Sequence, residues 1–332
     1  MFEGKIIPGY RHQPGFHCAS SAIRNILAFR GIRVSEPAVI GLGRGPGLCY
    51  LVIDGRPSHL VHVRHLTLED NFFRTVNLKF RWRETADAAL ATREAKASVD
   101  RGLPVLIQTD IKYLPYFNTD QHFTGHAVVI CGYDDDRGEF YVSDTLHPET
   151  LAVAFPDMER SRSAVFPPFA LDNKSFVLED LSGFRVDEAV ARGAMRGWAE
   201  ENLNGIPGLP LPYGIPALEA LIGDLPNWRE AADWQWSARF TYQIIERRGT
   251  GGAGFRTLYR QFLEEAEGLY PSIQGLGLSL DMAVIEALYH DMAAAFRQVS
   301  EGDSPDFSPV APVLEKLRER EAAFYRKILL EV

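Results

Sequence analysis

Hydrophobic residues in this chain of 332 amino acids change their spacing near residue 155, and that change restricts the fold more than any other feature. Before it, short apolar runs are separated by turn-forming residues; after it, apolar residues recur at helical spacing. Residues 104–108, 127–133 and 140–143 read as strands, the last two joined by the turn Asp134-Asp-Asp-Arg-Gly138. Val76, Leu78, Phe80 and Trp82 alternate with polar residues and predict a further half-buried strand. Ala19, Ala22, Ile23, Ile26 and Leu27 make an amphipathic helical stripe ended by Gly31, and residues 84–101 predict a second helix stopped by Gly102. Residues 156–174, with three prolines and mixed charge, read as a linker, and residues 175–178 as a short strand candidate of the first domain. Beyond them Trp234, Ala238, Tyr242 and Ile245 form one stripe, and Phe255, Leu258, Phe262 and Ala266 another. The expected class is α+β: an antiparallel sheet with helices over residues 1–155, then an all-α domain over residues 156–332.

The segment Met1-Phe2-Glu3-Gly4-Lys5 lacks the apolar core of a secretion signal, and no apolar run reaches the roughly 18 residues of a membrane span. Three cysteines at unrelated spacings are not a disulfide framework and fit a reducing, cytoplasmic setting. A formal net charge of −9 disfavours nonspecific nucleic-acid binding by the chain as a whole.

The chemistry concentrates at Cys18. This residue precedes the first apolar position of the first helix, where unpaired backbone N–H groups and the helix dipole favour thiolate over thiol. Acyl chemistry then needs a base that later serves as an acid. Of nine histidines, His126 is the best placed, at the edge of an apolar strand. If the turn pairs Tyr133 with Glu139, Val128 faces Asp144, and His126 and Asp144 become diagonal neighbours on one face. Asp144 could then orient the imidazole, the third role in a triad, or it could instead begin the turn Asp144-Thr-Leu-His-Pro148. Gln13, five residues before Cys18, could supply an oxyanion-hole N–H beside the Cys18 backbone N–H. Cys49 and Cys131 lie inside apolar runs and read as core.

Gln13-Pro-Gly-Phe-His-Cys18, Gly125-His126-Ala-Val-Val-Ile-Cys-Gly-Tyr-Asp134 and Tyr141-Val-Ser-Asp144 resemble the papain-like arrangement of bacteriocin-processing peptidases. Ala19 departs from it, since those enzymes commonly carry glycine there. A closer resemblance is to the butirosin biosynthesis protein H family. It covers His17-Cys18-Ala-Ser-Ser-Ala-Ile-Arg-Asn25, Ser35-Glu36 and Gly41-Leu-Gly-Arg-Gly-Pro-Gly47. In the second domain it covers Ile245-Glu-Arg-Arg-Gly249-Thr-Gly-Gly252 and Phe255-Arg256. The resemblance implies a papain-like cysteine-hydrolase-type first domain and acyl transfer from a carrier-protein thioester to an amine, in the namesake an aminoglycoside intermediate. On this sequence Cys18 would hold the acyl group, His126 would deprotonate the amine and Asp144 would orient His126. The implied partners are an acyl carrier protein and a small-molecule amine acceptor, with no nucleic acid and no membrane, and a homodimer stays open. No resident cofactor is implied, because phosphopantetheine arrives on the carrier. Substrate contacts are expected from His17, Gly43 and Gly45, and from Arg247, Arg248, Gly249, Thr250, Gly251 and Gly252. The last group suits close approach of backbone to a ligand or anion, and a plain interhelix turn is its other reading.

His59, His62 and His65 would point to alternate faces of a strand and lack a completing carboxylate or cysteine, so a polar edge strand is expected rather than a metal site. Residues 41–47 lack the Lys-Ser/Thr ending of a phosphate-binding loop and are expected as a flexible loop at a substrate cleft. Lys79, Arg81 and Arg83 would form a basic row, either a solvated face or a dock for an acidic carrier. The alternatives to acyl transfer are a cysteine peptidase or amidase with the same triad, and a non-catalytic protein whose helical half binds a partner.

Overall fold

The computed structural model describes residues 5–166 and 169–332; Met1 to Gly4, and Pro167 and Pro168 of the expected linker, lie outside the described residues. The strands are β1 Lys5–Ile6, β2 Pro46–Val52, β3 His59–Arg64, β4 Val105–Thr109, β5 His126–Asp134, β6 Glu139–Ser143, β7 Leu151–Ala154, β8 Val165–Phe166, β9 Phe169–Ala170 and β10 Ser175–Val177. The α-helices are α1 Cys18–Phe29, α2 Glu36–Leu42, α3 Leu68–Thr75, α4 Ala88–Asp100, α5 Phe155–Arg162, α6 Glu188–Asn204, α7 Ile215–Trp228, α8 Trp234–Glu246, α9 Arg256–Leu269, α10 Leu278–Glu301 and α11 Ala311–Glu331. The class is α+β, with antiparallel sheet in the N-terminal half and helices in the C-terminal half. Among the described residues no helix is long and apolar enough to cross a membrane.

Two compact units divide the chain, and not at residue 155. The first comprises Met1–Glu36 with Asn77–Phe184, the second Pro37–Val76 with Arg185–Val332. In the first unit the main sheet runs β10-β4-β5-β6-β7, all antiparallel. β5 lies at its centre and is buried at every position except its last, which explains its unbroken apolar run. β4 pairs with the first half of β5, and β1 continues along the same edge by pairing Ile6 with Gly132. The α1 stripe is buried as its spacing predicts. Gly31 ends that helix at φ +83°, letting its N–H reach Ala28 and the Ile32 N–H reach Leu27.

Two expectations about this unit fail. Residues 76–82 form no strand, although Val76 and Leu78 are buried and their polar neighbours exposed. The alternation reports which side faces the core; the ladder is missing because Asn77 adopts φ 58° and only Arg83 bridges to Ser175. Nor are residues 156–174 a linker. Pro156 occupies the first turn of α5, where a missing N–H costs nothing. Met158, Ser161 and Arg162 of that helix are buried, with the Arg162 guanidinium donating to the Ala91 and Asn173 carbonyls.

The second unit is helical apart from the β2–β3 hairpin, which the expected all-α domain lacked. The hairpin belongs with the helices because they hold it by hydrogen bonds. Trp198 donates to the Pro46 carbonyl at 2.7 Å, Trp228 donates to the Tyr50 hydroxyl at 3.0 Å, and the Gly214 N–H donates to the Leu48 carbonyl at 2.8 Å. Trp198 also stacks on Tyr259 at 4.1 Å, and Arg256 forms a buried ion pair with Glu321 at 2.9 Å.

Candidate active site

The entry to α1 is fixed by a buried carboxylate. Glu36 Oε1 accepts from the His17 backbone N–H at 2.8 Å and from the Ser20 hydroxyl at 2.9 Å, and both carboxylate oxygens accept from the Phe16 N–H at 3.1 Å. His17 is the N-cap, with extended backbone and Nδ1 accepting from the Ser20 N–H at 3.2 Å. The next residue, Cys18, therefore begins the helix with its thiol half-buried. On the other side of the site, the Gly15 N–H donates to the Thr145 carbonyl and Ser21 shares a 2.6 Å hydrogen bond with Thr145. These contacts tie the Cys18 segment to the residue after Asp144.

His126 opens β5, and its backbone carbonyl is held by the Thr109 hydroxyl at 2.9 Å. Its Nε2 lies 2.7 Å from Asp144 Oδ2, which leaves Nδ1 as the nitrogen for the thiol. The pairing that permits this differs from the expected register at the turn, where Asp134 faces Glu139 and Tyr133 faces Phe140. A bulge at Cys131 then shifts the ladder by one, so Ile130 faces Val142 and Val129 faces Ser143. Continuing that register sets Val128 opposite Asp144, as the sequence suggested.

The electrostatics form one chain. Burial works against charge on His126, but Asp144 outweighs it and, with Cys18, raises the imidazole to about 10. Burial likewise disfavours charge on Asp144, yet the imidazole holds the carboxyl below its usual value. At Cys18 burial opposes ionisation, and the imidazoles of His17 and His126, through charge and hydrogen bonding, hold the thiol well below its ordinary range. Cys49 and Cys131 go the other way, pushed by burial to about 12. This arrangement suits a thiolate–imidazolium pair beside an orienting carboxylate.

The sequence reading missed the residues that brace this pair. Tyr116 donates to Asp144 Oδ2 at 2.7 Å, and the Phe117 ring meets the His126 ring edge-on at 5.1 Å. Both come from the long segment between β4 and β5, whose ends are joined where the Phe123 N–H and His122 Nδ1 meet the Asp110 carboxylate. A connection of that length between paired strands is the signal that marks it as functional. Glu36 was marked through the resemblance at Ser35-Glu36, but its role was not, since its partners stand sixteen or more residues away.

The other expected site residues are placed as follows. Gln13 has an exposed side chain, and its carbonyl accepts from Arg24 and Asn25. Gly43 and Gly45 do not form an open loop. They close the end of α2 by donating to Val39 and Ile40, and a Cβ at Gly43 would stand 2.8 Å from the Val39 carbonyl oxygen and 3.0 Å from that of Leu68. Thr250 is buried and caps α8 through the Ile245 carbonyl at 2.7 Å. Gly249, Gly251 and Gly252 all have positive φ, and the Gly252 N–H turns back to the Thr250 hydroxyl. Arg247 and Arg248 are exposed and fold onto their own helix, Arg247 toward Tyr242 and Arg248 over Phe240. His59 lies on the buried face of β3 with Val61 and Val63, His62 lies on the half-exposed face, and His65, just past the strand, is bound by Glu201.

Residues 17–145 match the family described as butirosin biosynthesis protein H, N-terminal, and residues 156–328 match the domain of unknown function DUF4872. No curated protein matches the chain. The gap between the two matched segments falls at the expected boundary near residue 155, so the family's sequence domains and the compact units divide the chain differently. Cys18, His126 and Asp144 all lie within the first match. The chain belongs to the butirosin biosynthesis protein H family.

Proposed function

We propose that this protein acts in antibiotic or other secondary-metabolite biosynthesis as a cytoplasmic cysteine acyltransferase. It would move an acyl group from a carrier-protein thioester to an amine. The observation that supports this is the Cys18–His126–Asp144 line: a thiol held well below its usual value, an imidazole 2.7 Å from a buried carboxylate, and a half-buried sulfur. The Cys18 thiolate attacks the thioester carbonyl carbon, and the tetrahedral oxyanion collapses as the carrier's sulfur takes the His126 proton and leaves as thiol, so that the imidazole becomes neutral. Exchange between two thioesters is nearly balanced, whereas aminolysis is downhill. Acylation also removes the thiolate that helps raise His126, which frees the imidazole to take a proton from the amine as its nitrogen attacks. The C–N bond forms, the C–S bond breaks and Cys18 leaves as thiolate.

In this proposal the Cys18 N–H and the Gln13 side chain hold the oxyanion. The exposed Lys79, Arg81 and Arg83 receive the acidic carrier. Intact-mass measurement after mixing with an acyl-thioester should give an adduct on Cys18, and an added amine should release it as amide. Free acid as the sole product would favour a hydrolase, and a Cys18→Ala protein that still transfers acyl groups at the wild-type rate would sink the covalent route.

A further inference from the structure

The connection from β4 to β5 carries a second carboxylate–imidazole pair, and this one ends on an ammonium. Asp110 is fully buried, and its Oδ1 accepts from the backbone N–H groups of Lys112 at 3.2 Å and Phe123 at 3.0 Å. Its Oδ2 lies 2.6 Å from His122 Nδ1, and His122 Nε2 lies 3.3 Å from Lys112 Nζ. A carboxylate can only accept and an ammonium can only donate, so Nδ1 carries the ring proton and Nε2 accepts from the lysine. The imidazole is therefore neutral, and its ring is stacked on Phe166 at 4.6 Å. Among the described residues Lys112 has no carboxylate partner. Its ammonium is held in place by a neutral acceptor, with no anion in contact.

Lys112 lines a cavity of about 260 Å³ with Leu114, Pro115, Asn118, Thr119 and Asp120. Between Pro115 and Asn118 stand Tyr116 and Phe117, which touch Asp144 and His126, so one short stretch of chain supplies both a wall of the cavity and the brace of the triad. A fixed ammonium without an anion is a place for one, and lysine meets phosphate as a point charge. Asp120 on the same wall disfavours a bare anion, because it repels negative charge and can only accept hydrogen bonds. The lining as a whole suits a phosphate that continues into a chain with an apolar part and several N–H or O–H donors. We propose that this cavity holds the phosphopantetheine arm of the carrier, with the phosphate on Lys112. This rests on the acyl-transfer reading. The arm's methyl groups then meet Leu114 and Pro115, and its hydroxyl and amides meet Asn118, Thr119 and Asp120. The cavity would thus separate carrier-borne thioesters from small ones.

Acetyl-phosphopantetheine and acetyl-pantetheine differ only in the phosphate, and intact mass at low donor concentration compares their rates of Cys18 acylation. The phosphorylated donor should react about 10-fold faster or more, the worth of one charge-assisted contact. Lys112→Met should bring the two donors to the same rate, and Lys112→Arg should keep the preference because it keeps the cation. Equal rates in the wild type, or a preference that survives Lys112→Met, would overturn the inference. Binding is read apart from acylation by the phosphorus NMR resonance of free phosphopantetheine, which the unsubstituted protein should broaden. Inorganic phosphate at the same concentration should not reverse the broadening, whereas in Asp120→Asn it should. Reversal by inorganic phosphate in the wild type would make the cavity a general anion site and overturn the arm as its occupant. A sharp resonance at every protein concentration would overturn the site itself. A broadened resonance with no acylation by either donor would instead overturn the acyl-transfer reading and leave the site standing.

Discussion

Asp144–His126 in the first unit and Glu321–Arg256 in the second are both buried ion pairs, at 2.7 and 2.9 Å. Both carboxylates also have tyrosine beside them, Tyr116 at Asp144, and Tyr289 and Tyr325 at Glu321. What differs is the cation. Arg256 directs Nη1 to the Gly47 and Gly254 carbonyls and lays its guanidinium 3.8 Å from the Tyr289 ring centre. A guanidinium keeps its proton in a protein, so this pair can only brace. His126 has a second nitrogen, can lose its proton, and faces a half-buried thiol. Burial and charge pairing are common to both; a titratable partner beside a reachable nucleophile separates a site from a brace.

The comparison breaks most visibly at the brace. Arg256→Ala would leave Glu321 charged and unpaired in the interior, a loss of about 3–5 kcal/mol in a chemical denaturation experiment. Replacing both partners, as Arg256→Met with Glu321→Leu, should cost much less, since removing both charges also removes their desolvation. Equal losses in the single and double variants would mean that the pair contributes through packing alone. The turn that delivers Arg256 is also costly, with Ala253 at φ 48° and Phe255 at φ 72°, both in the left-handed region. That strain is held in place by the ion pair that follows it.

The site should respond to a single charge in a different coordinate. Asp144 keeps His126 protonated up to about 10, and the imidazolium in turn favours thiolate at Cys18. Iodoacetamide alkylation of Cys18 should therefore be nearly independent of pH from neutrality to about 9, while Cys49 and Cys131, pushed to about 12, lag behind. Asp144→Asn removes the anion, so the imidazolium is less favoured, the thiolate loses its counter-charge, and the midpoint of alkylation moves upward. A rise of about one pH unit or more, worth about 1.4 kcal/mol, is expected. The two groups titrate together, so the shift belongs to the pair. An unmoved midpoint would mean that His17 and the helix N-terminus alone ionise Cys18.

How far all this could be read beforehand depended on the range of the interaction. The α1 stripe, the central strand β5 and the thiol at a helix start are local patterns, and they stand where the spacing put them. The diagonal placement of His126 and Asp144 was legible too, but through an error that cancelled. The turn is one residue off, and the Cys131 bulge restores the register; a bulge leaves no mark in hydrophobic alternation. Pro156 illustrates the opposite failure, since a proline reads as a breaker until one knows that it starts a helix. The β2–β3 hairpin joins the helices through Trp198 at Pro46 and Trp228 at Tyr50, contacts 152 and 178 residues long that no window of sequence contains. Tyr116 at Asp144 and Glu36 at His17 are of the same kind.

The smallest effect tests whether Tyr116 tunes the pair or merely holds it. Its hydroxyl donates to the same Asp144 oxygen that meets His126 Nε2, both at 2.7 Å. A carboxylate that accepts a second hydrogen bond has its charge partly drawn toward that donor, which weakens its pull on the imidazolium. Tyr116→Phe should thus strengthen the pull and lower the midpoint of Cys18 alkylation, opposite in sign to Asp144→Asn, by less than about one pH unit. If Tyr116 instead fixes the direction of the carboxylate, its loss loosens the Asp144–His126 contact and the midpoint rises. The sign of a small shift therefore decides between the two roles. In the second unit, Tyr325→Phe beside Glu321 should leave Cys18 alkylation unchanged at every pH, because no titrating cation is there to pass the change on.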